Sequence, residues 1–232
     1  MDRKIAYDIS CAARILAHEG LSVLVAGHLS FAVDGKMYVN RFGPSFERVK
    51  PEDILLLDYD GKILEGDGFV NDTILLHGVL HRLAPEARAL VHTHPRSVVT
   101  LSSFRTVPEI YDQESCFLAG DIGIFDEDYA GLASTEQRVA PMAQALRQFR
   151  TLILPNHGAL TSGDTIPAAT MRMILLENVA KRYLEVSQAA ATIGKKPRPV
   201  APEIALQTRK ELEGLRAEGL LWKDYVEKLG LN

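Results

Sequence analysis

Apolar residues recur three and four positions apart in several stretches of the chain, which is the spacing of an amphipathic helix. The pattern predicts five long helices, over residues 3–19, 71–84, 135–148, 166–191 and 203–228. The first ends at Gly20, a residue suited to a helix C-cap, and the second ends before Pro85, which cannot continue a helix. A shorter helix is expected directly after Pro95.

Between the helices, short apolar runs bounded by turn residues predict β-strands. They form two hairpin-like pairs and two single strands, at residues 29–33 with 36–40, 53–58 with 62–65, 89–94 and 151–154. Asp34-Gly35 in the first pair is typical of a tight hairpin turn. Helices interleaved with mostly hairpin-connected strands favour an α/β fold, with one sheet and helices on both of its faces.

Composition excludes several classes of protein. The 232 residues are 47% hydrophobic and carry a formal net charge of −4, so no basic excess indicates a nucleic-acid partner. No apolar run approaches the roughly 20 residues that span a bilayer, which argues against a membrane protein. Cys11 and Cys116 do not form a disulfide framework. A cytoplasmic location is therefore expected.

Three histidines carry the strongest chemical signal. His92 and His94 are two residues apart at the end of a predicted strand, so their side chains share one face. His157 follows the strand at 151–154, and a neighbouring strand would bring it beside the pair. Three neutral imidazoles with an open coordination position are the usual protein share of a catalytic zinc or related divalent site. The alternative is a structural or surface pair, which an isolated His-X-His at a strand end more often is.

Two further patterns leave their roles open. His77 and His81 share a helix face, but Gly78 stands where a metalloprotease motif needs its glutamate, so packing, capping or support of a metal ligand is expected instead. Tyr225 lies in a C-terminal helix that either docks on its own subunit or a partner, or reaches a neighbouring site.

Together the motifs resemble the class II aldolase/adducin head family. The matching segments are Gly27-His28-Leu29-Ser30, the helix around Leu76-His77, Ala89 to Pro95, and Asn156 to Gly163. The resemblance implies one domain over residues 1–232 with a C-terminal helical tail at about 203–232, folded as a three-layer α/β/α sandwich around a largely antiparallel sheet. It also implies one divalent ion on His92, His94 and His157, with Zn²⁺ expected before Mn²⁺, and a homotetramer with sites near subunit interfaces.

One departure from the family pattern concerns the catalytic residue. Sugar-phosphate aldolases of this family carry a catalytic glutamate 19 residues before the first ligand histidine, and that position is Thr73 here. Threonine is not a comparable base near neutral pH. The positions that hold a substrate phosphate read Asn71, Asp72 and His28, and an aspartate would repel a phosphate dianion. The Gly-His-X-Ser variant is more similar to the decarboxylase-like and adducin-like branches.

These residues favour a metal-dependent carbon–carbon lyase that acts on a small, non-phosphorylated hydroxy-carbonyl or carboxylate substrate. Thr73 and Tyr225 are the candidate catalytic residues. The candidate substrate-binding residues are His28, Ser30, Arg41, Asn71, Tyr111 and Gln113. Aldol cleavage and decarboxylation both remain open. The alternatives are a non-catalytic adducin-like assembly module and a sugar-phosphate aldolase or epimerase.

Overall fold

The computed structural model describes residues 1–22, 25–127, 131–215 and 217–231. Its helices are α1 (Arg3–His18), α2 (Leu75–Leu83), α3 (Arg96–Ser102), α4 (Glu136–Gln148), α5 (Ile166–Ile193), α6 (Pro202–Gly214) and α7 (Ala217–Lys228). Its strands are β1 (His28–Val33), β2 (Lys36–Asn40), β3 (Ile54–Asp58), β4 (Ile63–Glu65), β5 (Ala89–Thr93), β6 (Ile122–Ile124), β7 (Thr151–Leu154) and β8 (Gly158–Gly163).

The described strands form a single sheet in the order β4-β3-β2-β1-β5-β8-β7-β6. Every neighbouring pair in it is antiparallel except β6 with β7, which is parallel. The largely antiparallel sheet predicted from the sequence is therefore confirmed. At the centre, β5 pairs with β1 on one side and with β8 on the other.

Alternate residues of the central strands enter two separate cores, because strand side chains alternate between the faces of a sheet. Ala89 and Val91 pack with α1, α3 and α5, whereas Leu90 packs with α2 and α4. The helices thus cover both faces of the sheet, which is the three-layer α/β/α arrangement expected. His92 continues the Leu90 side of β5, and so it points towards the α2 layer.

Local chemistry fixes the helix ends that the sequence predicted. The carboxylate of Asp2 accepts hydrogen bonds from the amides of Lys4 and Ile5 at the start of α1. Thr165 caps α5 in the same way, and Gly194 ends it with a left-handed φ of 70° that glycine adopts without strain. No helix in the described part of the chain is both long and apolar enough to cross a membrane.

Three element predictions need correction. Residues 203–228 form two helices, α6 and α7, rather than one. The helix predicted from residue 71 begins at Leu75, after a short 3-10 turn over Asp72–Ile74. The sequence pattern also did not predict β6 and β8. β6 is only three residues long, and β8 is buried along its whole length. Neither strand therefore shows the alternation of polar and apolar residues that predicts a strand.

Candidate metal centre and substrate cavity

His92, His94 and His157 converge at one end of the central strands. His92 lies within β5, His94 follows its last residue, and His157 lies in the loop that joins β7 to β8. The ring centroids are 5.0 Å apart for His92 and His94, 4.8 Å for His92 and His157, and 5.0 Å for His94 and His157. One potential ligand nitrogen from each ring lies within 4.8 Å of the others.

The strand that places His157 is the one after it rather than the one before it. We expected the strand at 151–154 to carry His157 beside the pair, but β7 is one strand further away and β8 pairs directly with β5. The close approach depends on Gly158. A Cβ at this position would overlap the carbonyl oxygen of Thr93 and would lie 2.7 Å from Cδ2 of His94.

The protonation of these rings suits a metal ion. Burial lowers the pKa of His92 well below its ordinary value, lowers that of His94, and lowers that of His157 to about 4. Nδ1 of His92 donates to the carbonyl oxygen of Ala159 at 2.9 Å, which leaves the lone pair on Nε2. Nε2 of His94 is buried without a protein partner. Three neutral imidazoles fit a divalent cation.

A cavity of about 240 Å³ opens beside the three rings. Its apolar walls are Val25, Ala26, Gly27, Phe42, Leu76, Leu132 and Ala133. Its polar groups are His28, Asn71 and Thr73, together with the three histidines. None of the described residues that line it is acidic, and none is a lysine or an arginine. The cavity therefore offers apolar contact and neutral hydrogen-bonding groups.

His28, Asn71 and Thr73 are joined by hydrogen bonds with a defined direction. The hydroxyl of Thr73 donates to Oδ1 of Asn71 at 2.6 Å, and its oxygen lies 3.2 Å from Nε2 of His28. Because the threonine proton is already used, Nε2 of His28 carries the hydrogen and donates it. Burial lowers the pKa of His28 to about 4, so this ring is also neutral. The ring lies over His92, with the centroids 6.0 Å apart.

Ser30 is placed behind the cavity rather than in its wall. Its hydroxyl oxygen lies 2.5 Å from Nδ1 of His77 and 2.7 Å from Nε2 of His81. Nδ1 of His81 donates to the carbonyl oxygen of Ala87 at 2.9 Å, so Nε2 accepts from Ser30 and the serine oxygen accepts from His77. The i, i+4 histidine pair of α2 thus anchors that helix to β1. Gly78 has a packing role, since a Cβ there would overlap the backbone of Tyr59.

Four other candidate residues do not line the cavity within one chain. Arg41 forms an ion pair with Asp53 at 2.7 Å, although its neighbour Phe42 does reach the cavity. The hydroxyl of Tyr111 donates to Glu109, and Gln113 precedes the short 3-10 helix that begins at Glu114. Tyr225 packs against the α1 and α5 side of the sheet, where its ring lies 6.5 Å from His18. Within one chain Tyr225 contributes to the docking of the last helix, and its reach to a neighbouring site stays a prediction.

Sequence reasoning missed the apolar half of the cavity. Phe42, Leu76 and Leu132 come from three separate segments, and no motif links them. The Ser30 network did leave a signal, because His77 and His81 share a helix face, but their partner on β1 could be identified only from the fold.

Comparisons with known proteins show the family to which this chain belongs. Residues 7–184 match the family described as Class II Aldolase and Adducin N-terminal domain, and the chain belongs to this family. It is 29% identical to decarboxylase NovR of Streptomyces niveus over 178 residues, which cover 75% of this chain and 63% of that protein. The chain thus spans less than two thirds of the length of NovR.

Two further proteins are similar over a larger share of both compared chains. The 3,4-dihydroxyphthalate decarboxylase of Arthrobacter keyseri is 28% identical over 204 residues, which cover 82% of this chain and 81% of that protein. The solved structure of L-fuculose 1-phosphate aldolase from Glaciozyma antarctica PI12 superposes with a TM-score of 0.85 at 27% identity. That superposition covers 98% of this chain and 90% of the other. Relatives of this chain are therefore lyases of both the decarboxylase and the aldolase kind.

Proposed function

We propose that the chain is a metal-dependent decarboxylase of small hydroxylated carboxylates, with the ion held by His92, His94 and His157. The observation that carries the proposal is a cluster of three neutral imidazoles at the base of a largely apolar cavity without a described acidic residue. A bound divalent ion would act as a Lewis acid, withdrawing charge from the substrate as the carbon–carbon bond breaks.

The charge balance of the cavity favours an anionic substrate. Neutral ligands leave the full charge of a divalent ion uncompensated, and the apolar walls strengthen its attraction for an anion. A carboxylate with a neighbouring hydroxyl or keto oxygen supplies two oxygens to such a centre. A phosphate dianion would find no lysine or arginine among the described lining residues, which disfavours a sugar phosphate.

The apolar walls favour a substrate with a single aromatic ring. Phe42, Leu76 and Leu132 offer flat or aliphatic contact, and about 240 Å³ suits one ring with its substituents. The similarity to a 3,4-dihydroxyphthalate decarboxylase supports this substrate class.

His28, Thr73 and Asn71 are the residues that we assign to orienting the substrate in the cavity. Nε2 of His28 donates to Oγ1 of Thr73, and all three residues line the cavity. The hydroxyl of Thr73 donates to Oδ1 of Asn71, which leaves the second lone pair of Oγ1 to accept a hydrogen bond from a hydroxyl of the substrate. All three groups are neutral, so the proton that replaces CO₂ on carbon would come from solvent.

The test is a metal-loaded substrate screen. Protein stripped with a chelator is reloaded with Zn²⁺ or Mn²⁺ and incubated with hydroxybenzene carboxylates, with hydroxy-carbonyl compounds and with sugar phosphates. We expect metal-dependent CO₂ release from the first group. H157Q should abolish it, whereas H18Q, at an exposed histidine, should not. Aldehyde release without CO₂ would instead support an aldolase, and no bound metal with no turnover would support an adducin-like assembly module.

A further inference from the structure

Two of the three clustered histidines lie outside the strands. His94 follows the end of β5, and His157 lies in the loop between β7 and β8. The hydrogen bonds of the sheet therefore do not fix either ring directly. The pairing of β5 with β8 sets where the two loops begin, and contacts outside the sheet also hold the loops at a constant separation.

A residue of α5, Glu177, holds the loop that carries His94. Helix α3 begins two residues after His94, and its first amides point at the carboxylate of Glu177. The amide of Ser97 donates to both oxygens of Glu177 at 3.0 Å, and the amide of Val98 donates to one of them at 3.1 Å. A carboxylate is favoured at a helix N-terminus because it accepts the free amide hydrogens and opposes the helix dipole.

The loop of His157 is held by the other end of the same helix. Ser102, the last residue of α3, accepts a hydrogen bond at 3.0 Å from the amide of Asn156, which directly precedes His157. Its hydroxyl in turn donates to the carbonyl oxygen of Val99 at 2.8 Å. Asn156 has a φ of 55°, so the loop contains a left-handed residue that depends on its surroundings.

Helix α3 is a rigid link between these two contacts. Val98 and Leu101 are buried in the core that α3 shares with α5, and Ser102 is fully buried. Glu177 itself is partly buried on α5, where a carboxylate without hydrogen-bond partners would be costly. Its three amide hydrogen bonds offset that cost only when α3 occupies this position.

We propose that Glu177 and Ser102 are positioning residues, which act through α3 to hold the loops of His94 and His157 in a fixed relation. The proposal rests on the proposed metal site for its purpose. Neither residue lines the cavity, so their effect on catalysis would be indirect.

The test compares E177Q and S102A with D2N, a matched control. Asp2 also caps a helix through two backbone amides, at 2.8 and 3.2 Å, but it does so at α1. The two measurements are the affinity for Co²⁺, followed by visible absorption, and hydrogen exchange of the metal-free protein. We expect E177Q and S102A to weaken Co²⁺ binding about 10- to 100-fold. We also expect E177Q to speed exchange at the amides of residues 156–158, and D2N to change neither.

The outcomes separate this proposal from the proposed function. Wild-type affinity in both E177Q and S102A would overturn the positioning role while leaving the metal site intact. If the wild-type protein itself bound no Co²⁺, the metal site would fail, and exchange would decide the positioning role alone. Unchanged exchange at residues 156–158 in E177Q would then overturn it, and faster exchange would support it. If E177Q does not fold, S102A gives both measurements.

Discussion

Nδ1 of His92 donates a hydrogen bond to the carbonyl oxygen of Ala159 at 2.9 Å. The bond joins the first of the three candidate metal ligands to β8. This bond selects the tautomer whose Nε2 lone pair is available, and it orients the ring. Because β8 begins directly after His157, the same pairing of β5 with β8 also sets the position of the third histidine.

Loss of one imidazole should remove the ion. We expect H157Q to weaken binding of Zn²⁺ by more than about 100-fold, since even changes outside the ligand shell commonly cost about 10- to 100-fold. Zn²⁺ should raise the melting temperature of the wild-type protein and leave that of H157Q unchanged. Calorimetric titration and thermal melts measure both effects. Equal affinity in the two proteins would mean that the ion binds elsewhere.

Replacement of Gly158 should distort the site through sterics alone. In G158A the new methyl group would meet the backbone of Thr93 and the ring of His94, so β5 and β8 must shift apart. We expect a loss of about 1–3 kcal/mol in the free energy of unfolding, together with weaker metal binding.

Gly219 supplies the control for G158A. It lies in α7, and nothing beyond the backbone of its own helix comes within 4 Å of the position that a methyl group would take. Urea denaturation of G219A should show unchanged or slightly higher stability, by up to about 1 kcal/mol, because alanine favours helix. A G158A protein as stable as G219A would contradict the packing described.

The Ser30 network should contribute strongly to stability. S30A would leave Nδ1 of His77 and Nε2 of His81 without their partner in the interior. Each buried unsatisfied group costs about 1–3 kcal/mol, so we expect a loss of about 2 kcal/mol or more. S187A is the matched control, since the exposed hydroxyl of Ser187 donates only to a carbonyl of its own helix. Urea denaturation should show almost no change for it, and an equal loss in both variants would argue against the network.

Acid should destabilise the metal-free protein before most carboxylates titrate. Burial lowers the pKa of His81 to about 4, whereas an unfolded histidine has a pKa of about 6.5. Between these values the unfolded chain binds a proton that the folded chain does not. The free energy of unfolding should therefore fall as the pH is lowered from about 6.5 towards about 4, by up to about 1.4 kcal/mol per pH unit for each such ring. H81Q should show a shallower slope in urea denaturation, and an identical slope would be evidence against a neutral, buried His81.

The local elements and the histidine pattern could be predicted because their causes are local. The Asp34-Gly35 turn and Gly20 at the end of α1 depend on neighbouring residues, and each is present in the structure. The i, i+2 spacing of His92 and His94 likewise requires only a strand.

Features that depend on distant residues could not be predicted in this way. The pairing of β8 with β5, the apolar wall around Leu132 and the contact of Glu177 with α3 join segments that are far apart in sequence. The break between α6 and α7 was missed for a different reason, since the apolar spacing continues across it. Ser30 was assigned to the cavity because its motif suggested a ligand contact, but its strand directs it at His77 and His81.

The central claim is that three imidazoles share one divalent ion, and anomalous diffraction tests it most directly. Crystals grown with Zn²⁺ and measured at the zinc edge should show one strong peak per chain, about 2.0–2.1 Å from a ring nitrogen of each of His92, His94 and His157. The peak should be absent from crystals of H157Q grown in the same way. A wild-type map with no peak among the three rings, or with zinc bound only at another site, would contradict the account.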